Sequence, residues 1–303
     1  MSSLDTTRIA ASTHVGPVGL TVADLDRSVR YYRRSIGLEV QSSEGREARL
    51  GVGGRVLVAL QELPGARPVQ SYTGLYHFAL RVPDRPSLGR WLLHAVEDEV
   101  RIGGAADHFF SEALYLNDPD GHGIEIYRDR PRDLWEGKLD MPPNEPLDFE
   151  GLVAEAEGER GKAYAGMPPG TDMGHVHLQV RDIPEAIGFY RDVLGFDLMF
   201  DLGTAAFLGA GGYHHHIGTN TWHSRGSSPA PEGSASLRFA TILVPDAGEL
   251  ARVTERLSSA GINHEASGDL VAVQDPSGIR LQVEVSPAQP TRGESGGLTT
   301  PAP

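Results

Sequence analysis

The chain contains no cysteine. That absence excludes disulfides, thiolate metal sites and cysteine nucleophiles, so any metal must be held by His, Asp or Glu. No apolar stretch approaches the length that crosses a bilayer, and the first residues lack the basic-then-apolar order of a secretory signal. No membrane partner is therefore expected, and the expected location is cytoplasmic. Positive charge is also scarce. The chain has 27 Lys and Arg against 41 Asp and Glu, a net charge of −14. The cations are scattered, so no nucleic-acid footprint is expected. What is present is an ordinary soluble composition, 39% hydrophobic over 303 residues, long enough for about two domains with cores of their own.

Laid on itself at an offset of 158, the sequence repeats. Leu20-Thr-Val22-Ala-Asp24 and the following run to Tyr32-Arg33 and Gly37 align with Leu178-Gln-Val180-Arg-Asp182, Tyr190-Arg191 and Gly195. Each copy reads as a strand of period-two alternation, an Asp that caps a helix, and an amphipathic helix closed by Gly. A second such unit starts within each copy, at Tyr76-His77-Phe-Ala-Leu80-Arg-Val82-Pro-Asp84 and at Arg238-Phe239 through Val244-Pro-Asp246. The chain thus divides into four strand–helix–strand–strand–strand modules, at about 14–62, 74–130, 173–222 and 236–287. One module alone leaves a sheet face uncovered, so modules must pair. Residues 131–172 form an acidic connector rich in Gly and Pro, with a helix expected around Phe149 to Arg160. Residues 288–303 have too little apolar content to order themselves and are expected to be disordered.

The densest motif runs from His108 through Tyr115 and Asp118-Pro-Asp-Gly121 to Glu125. Asp-Pro-Asp-Gly is a β-turn signal. It joins two strands, Glu112 to Leu116 and Gly123 to Tyr127, which carry Tyr115 and Glu125 side by side. The bland reading is a hairpin whose Glu faces solvent.

The four modules, the Asp-Leu-Asp-Arg-Ser-Val-Arg-Tyr-Tyr run and Asp-Pro-Asp-Gly-His-Gly-Ile-Glu together resemble the vicinal oxygen chelate superfamily of glyoxalases, antibiotic-resistance proteins and extradiol dioxygenases. The resemblance spans nearly all of residues 14–285. The fold it implies is α+β, with four βαβββ modules in two tandem vicinal-oxygen-chelate domains, 14–130 and 173–287. Two features point to the extradiol, catechol 2,3-dioxygenase branch. One is the His108, Tyr115, Asp118-Pro119, Gly121, Glu125 spacing, which departs from the family pattern at Ala106. The other is Tyr213-His214-His215-His216-Ile217-Gly218, similar to the segment that carries that family's acid–base histidine.

In this superfamily the metal ligands come from a module's first strand, five residues before its closing Val, and from its last strand, four residues after the turn Gly. The first-strand positions here are Pro17, His77, His175 and Phe239, and the last-strand positions after clear turns are Glu125 and Gln282. The resemblance therefore implies one metal held by His77, Glu125 and His175 where module two meets module three. Familiar extradiol enzymes keep their ligands in the C-terminal half, at positions where this chain has Phe239 and Gln282. Two imidazoles and a carboxylate with three open positions form the triad of non-haem Fe(II) oxygenases, so Fe(II) is the implied cofactor, with Mn(II) as the alternative. A catechol needs two adjacent open positions and O2 the third.

The resemblance assigns acid–base work to His215, and to Tyr115 the donation of a hydrogen bond to the substrate oxygen at the metal, with His108 as a further catalytic candidate. His177 shares a strand face with His175 and is expected to line the pocket. Strand alternation is expected to send His215 to one face and its neighbours His214 and His216 to the other, which leaves open which of them faces the metal. His14, His94, His122, His223 and His264 are expected to be structural or solvated. The activity implied is extradiol cleavage of a catechol. The rivals are a glyoxalase-like lyase using Ni or Zn and a protein that sequesters a bleomycin-type drug. Assembly into a homo-oligomer is left open.

Overall fold

The computed structural model describes residues 7–137 and 144–287; the expected disordered tail, 288–303, and part of the connector lie outside the described residues. All four first strands are present, as His14–Val22, Gly74–Arg81, Asp172–Gln179 and Leu237–Val244. Their alternation separates two faces. Val18, Leu20 and Val22 are buried in one common core with Phe78, Leu80 and Val82, with Val176, Leu178 and Val180, and with Ala240, Ile242 and Val244. The residues between them, His77 and His175 included, point to the opposite face.

Each first strand leads into a helix through an Asp that caps it. The side chains of Asp24, Asp84, Asp182 and Asp246 each accept from the backbone N–H three residues on, at 2.8 to 2.9 Å. A cap of this kind contributes about 1 kcal/mol. The helices of modules one and three are short, Leu25–Tyr31 and Ile183–Ile187, and each continues into a π-helical turn. Gly37 closes the first of these at φ 96°, a conformation that costs glycine little. The connector helix spans Phe149–Glu155, followed by a 3₁₀ turn at Glu157–Glu159.

Within each half the helices meet. The Trp91 indole N–H donates to the Ile36 carbonyl at 3.2 Å and His94 Nε2 donates to the Arg34 carbonyl at 2.8 Å. The two Asp-Pro turns are held in the same way. Asp118 accepts from the backbone N–H groups of Asp120 and His122 and from the Tyr32 hydroxyl; Asp275 accepts from those of Ser277 and Ile279 and from the Tyr190 hydroxyl.

The sheets, by contrast, are assembled across the halves. Modules one and four build one eight-stranded sheet and modules two and three another. Their central pairs run antiparallel, His14–Val22 with Leu237–Val244 and Gly74–Arg81 with Asp172–Gln179. Each central strand also pairs in parallel with the last strand of its own module. Among the described residues no helix is long and apolar enough to cross a membrane.

Candidate metal centre and active site

The antiparallel pairing of Gly74–Arg81 with Asp172–Gln179 sets His77 directly opposite His177 and puts His175 opposite Ala79. The parallel pairing with Gly123–Asp129 then sets Glu125 beside Ala79. Three side chains from both halves consequently converge. His77 Nε2 lies 3.0 Å and His175 Nε2 3.1 Å from the Glu125 carboxylate, and the two ring nitrogens are 3.4 Å apart. All three residues are buried. Burial alone would push the Glu125 carboxyl up, but the imidazoles of His175 and His77 outweigh it and hold the group well below the usual carboxylate range. Burial pushes the His175 imidazole down, against the pull of Glu125.

The donor set fits a divalent metal. Ligands about 2.1 Å from one ion and at right angles to each other stand roughly 3 Å apart, which is the spacing of these three atoms. The fourth corner of the site carries no donor. Register places Gly218 beside His177 as Glu125 stands beside Ala79, so the strand position matching Glu125 in module three is a glycine. A side chain there would run into the His177 ring, which a Cβ would meet at 2.9 Å. The three donors therefore occupy one side and leave the other open. That side faces a cavity of about 550 Å³ lined in part by Tyr76, His177, Phe207, His215 and Trp222.

Tyr115 stands opposite Glu125 on the adjacent strand, its ring 5.5 Å from that of His77. Its hydroxyl lies 2.6 Å from His108 Nε2, and His108 Nδ1 lies 2.8 Å from the Asn144 amide oxygen. With His108 uncharged, Nδ1–H donates to Asn144 and Nε2 accepts from the Tyr115 hydroxyl, so the hydrogen expected to reach the substrate oxygen is held by His108 and the phenol offers the cavity a lone pair instead. His108 is presented by a tight turn in which Phe109 takes φ 67° and its N–H donates to the Asp107 carboxylate, itself paired with Arg130. Burial, with the charge of Glu125, pushes the Tyr115 phenol well up.

The triple histidine departs from the strand-alternation expectation. His214, His215 and His216 precede the strand Ile217–Asn220 and lie in a turn, so period-two facing does not apply to them. His215 lines the cavity, its ring 4.2 Å from that of His175. His214 is bonded to it, Nδ1 to Nδ1 at 2.9 Å, and so does not stand on an opposite face. His216 turns away, its Nδ1 accepting from the Ala210 N–H. Burial pushes the His215 imidazole well down and that of His216 down to about 3.

His14, His94, His122 and His264 donate to the backbone carbonyls of Ser12, Arg34, Thr21 and Ile262. Sequence reasoning passed over Asn144 and Asp129. Alternation along Glu125-Ile-Tyr127-Arg-Asp129 was a usable signal for Asp129, because it puts that carboxylate on the face of Glu125.

The chain matches the glyoxalase/bleomycin resistance protein/dioxygenase superfamily over residues 14–126 and 172–283, and it belongs to that family. It is 44% identical over 279 residues to a catechol-2,3-dioxygenase of Bacillus subtilis strain 168, covering 89% of this chain and 96% of that one. On that relationship it is an enzyme of the dioxygenase type. Among solved structures, one of a Bacillus subtilis protein described as a dioxygenase superposes with a TM-score of 0.65 at 13% identity, over 92% of this chain and 86% of that one. Glyoxalase I from Zea mays superposes with a TM-score of 0.55 at 17% identity, over 90% and 92%. These two likenesses speak for the fold alone.

Proposed function

We propose that the chain is an Fe(II)-dependent extradiol dioxygenase that opens a catechol ring next to its diol with O2, giving a yellow hydroxymuconic semialdehyde. The observation that carries this reading is the His77–Glu125–His175 triad, whose donors crowd one side of a buried site and leave the other open to a cavity lined by His215. Fe(II), or Mn(II), held by those residues would supply the electron exchange between the chelated diol and O2. The protein's own part is positioning and proton handling. Tyr115, anchored by His108, faces a substrate oxygen. His215 takes and returns the proton during ring opening, a role typically worth about 10² to 10⁴ in rate. A glyoxalase-like lyase with four protein ligands has less support, because the fourth corner is Gly218. Drug sequestration would leave the ligand unmodified. Anaerobic loading with Fe(II), then a panel of catechols in air, should give oxygen uptake and a yellow product. Fully loaded protein that consumes no oxygen with any catechol would sink the proposal.

A further inference from the structure

The His215 ring is held from behind by a chain of buried groups that ends on a carboxylate. His215 Nδ1 lies 2.9 Å from His214 Nδ1, and His214 Nε2 lies 2.8 Å from Asp129 Oδ1. Asp129 is anchored in turn. Its other oxygen accepts from the Tyr213 hydroxyl at 2.9 Å and from Arg81 at 3.1 Å, and Arg81 also forks onto Asp172. The Phe110 ring stacks on His214 with centroids 4.4 Å apart, packing that imidazole in place.

Proton counting along this chain leaves one arrangement for the uncharged imidazole pair. A carboxylate only accepts, so His214 Nε2 carries the hydrogen that faces Asp129, and His214 Nδ1 keeps its lone pair. The nitrogen facing that lone pair, His215 Nδ1, must then be the donor. A neutral imidazole has one N–H, so His215 Nε2 is left bare, on a ring that lines the cavity.

We propose that Asp129 and His214 are positioning residues that hold His215 in its Nδ1–H form and aim the Nε2 lone pair at the bound substrate. The inference rests on the dioxygenase reading only for what the substrate is. The tautomer can be read without turnover.

The test compares wild type with Asp129→Asn, Asp129→Glu and Tyr213→Phe in the full chain. Asparagine at 129 keeps the shape but offers its neighbours an amide. ¹⁵N-resolved imidazole NMR of the Zn(II)-loaded protein should show His215 protonated at Nδ1 in wild type and that preference lost in Asp129→Asn. In the iron-loaded enzyme, kcat should fall about 10- to 100-fold in Asp129→Asn, the usual cost of an outer partner, with KM and iron content nearly unchanged. Asp129→Glu should regain part of that loss. Tyr213→Phe, which removes a different bond to the same carboxylate, should lose far less and keep the tautomer. An unchanged His215 tautomer in Asp129→Asn overturns the proposal, as does an equal loss in Tyr213→Phe. Inactivity of wild type toward all catechols, with the tautomer shift still seen, would overturn the dioxygenase reading and spare this one.

Discussion

The two eight-stranded sheets are built from modules of one plan in the same strand order, yet among the described residues only that of modules two and three carries a cluster of metal-ligating side chains. Where the sheet of modules two and three has His77, His175 and Glu125, the sheet of modules one and four has Phe239, Pro17 and Gln282. Glycine stands at Gly218 in one and alanine at Ala59 in the other, each beside the strand position that matches Ala79. The core-facing positions scarcely differ. Val18, Leu20 and Val22 do for one sheet what Phe78, Leu80 and Val82 do for the other. Packing thus constrains one face of every module, and the opposite face is free to take either chemistry or filler. In the donor-free sheet Phe239 is the filler. Its ring lies over Gly19, where a Cβ would meet it at 2.3 Å. Burying unpaired donors is costly, so a sheet that holds no metal is better served by apolar groups at those positions.

Separating the halves breaks the comparison most severely. Residues 1–162 or 163–303 alone lack both a partner for the central strand and a full donor set, so neither should bind Fe(II) tightly, and co-expression should restore binding. Stoichiometric, tight binding by 1–162 would sink the cross-half site. Glu125→Gln gives the active sheet the amide that the other sheet has at Gln282. Metal content and oxygen uptake should both fall by more than the roughly 100-fold cost of losing an outer partner, while circular dichroism stays unchanged. Normal turnover would remove Glu125 from the metal's shell.

His215→Asn should leave iron content near that of wild type while kcat falls about 10² to 10⁴-fold, with little change in KM. Collapse of iron occupancy alongside rate would make His215 a ligand instead.

The matched turns allow a smaller, pH-resolved test. Burial pushes the Asp275 carboxyl up to about 6, against the Ile279 and Ser277 N–H groups and the Tyr190 hydroxyl that pull it down. The folded state therefore holds this proton more tightly than the unfolded chain. Its contribution to stability is full below the unfolded value, about 3.8, and is lost as pH rises through about 6. The gap corresponds to about 3 kcal/mol. Urea unfolding of wild type and Asp275→Asn at about pH 4 and pH 7 should show the difference between them shifting by that order. A pH-independent difference would remove Asp275 from the titration. The smallest effect is expected of Phe239→His. It adds one imidazole where Pro17 and Gln282 offer no partner ligands, so metal stoichiometry should stay at one and activity within about twofold. A second bound equivalent would mean that the donor-free sheet is closer to a metal site than its residues indicate.

The modular plan was legible in the sequence because its signals are local. Alternation marked the core faces, and Asp24, Asp84, Asp182 and Asp246 marked the helix starts three residues ahead of the N–H groups they cap. His77, Glu125 and His175 were implied by the superfamily resemblance through their offsets from Val82, Gly121 and Val180, and period two placed each of them on the face opposite the core. His214 and Asp129 could not be paired in this way. They are 85 residues apart, and His214 sits in a turn where alternation carries no information.

The sequence by itself determined which residues lie on the cavity face of each strand, since that depends only on period two and a buried opposite face. The meeting of module two with module three was already expected from the complementary donors His77, Glu125 and His175, but the register of Gly74–Arg81 on Asp172–Gln179 was decided by the tertiary structure, because strand edges can pair in several registers until the whole sheet is assembled. That register brings Glu125 within 3.1 Å of a histidine from the other half, and places the His214 ring between His215 and Asp129.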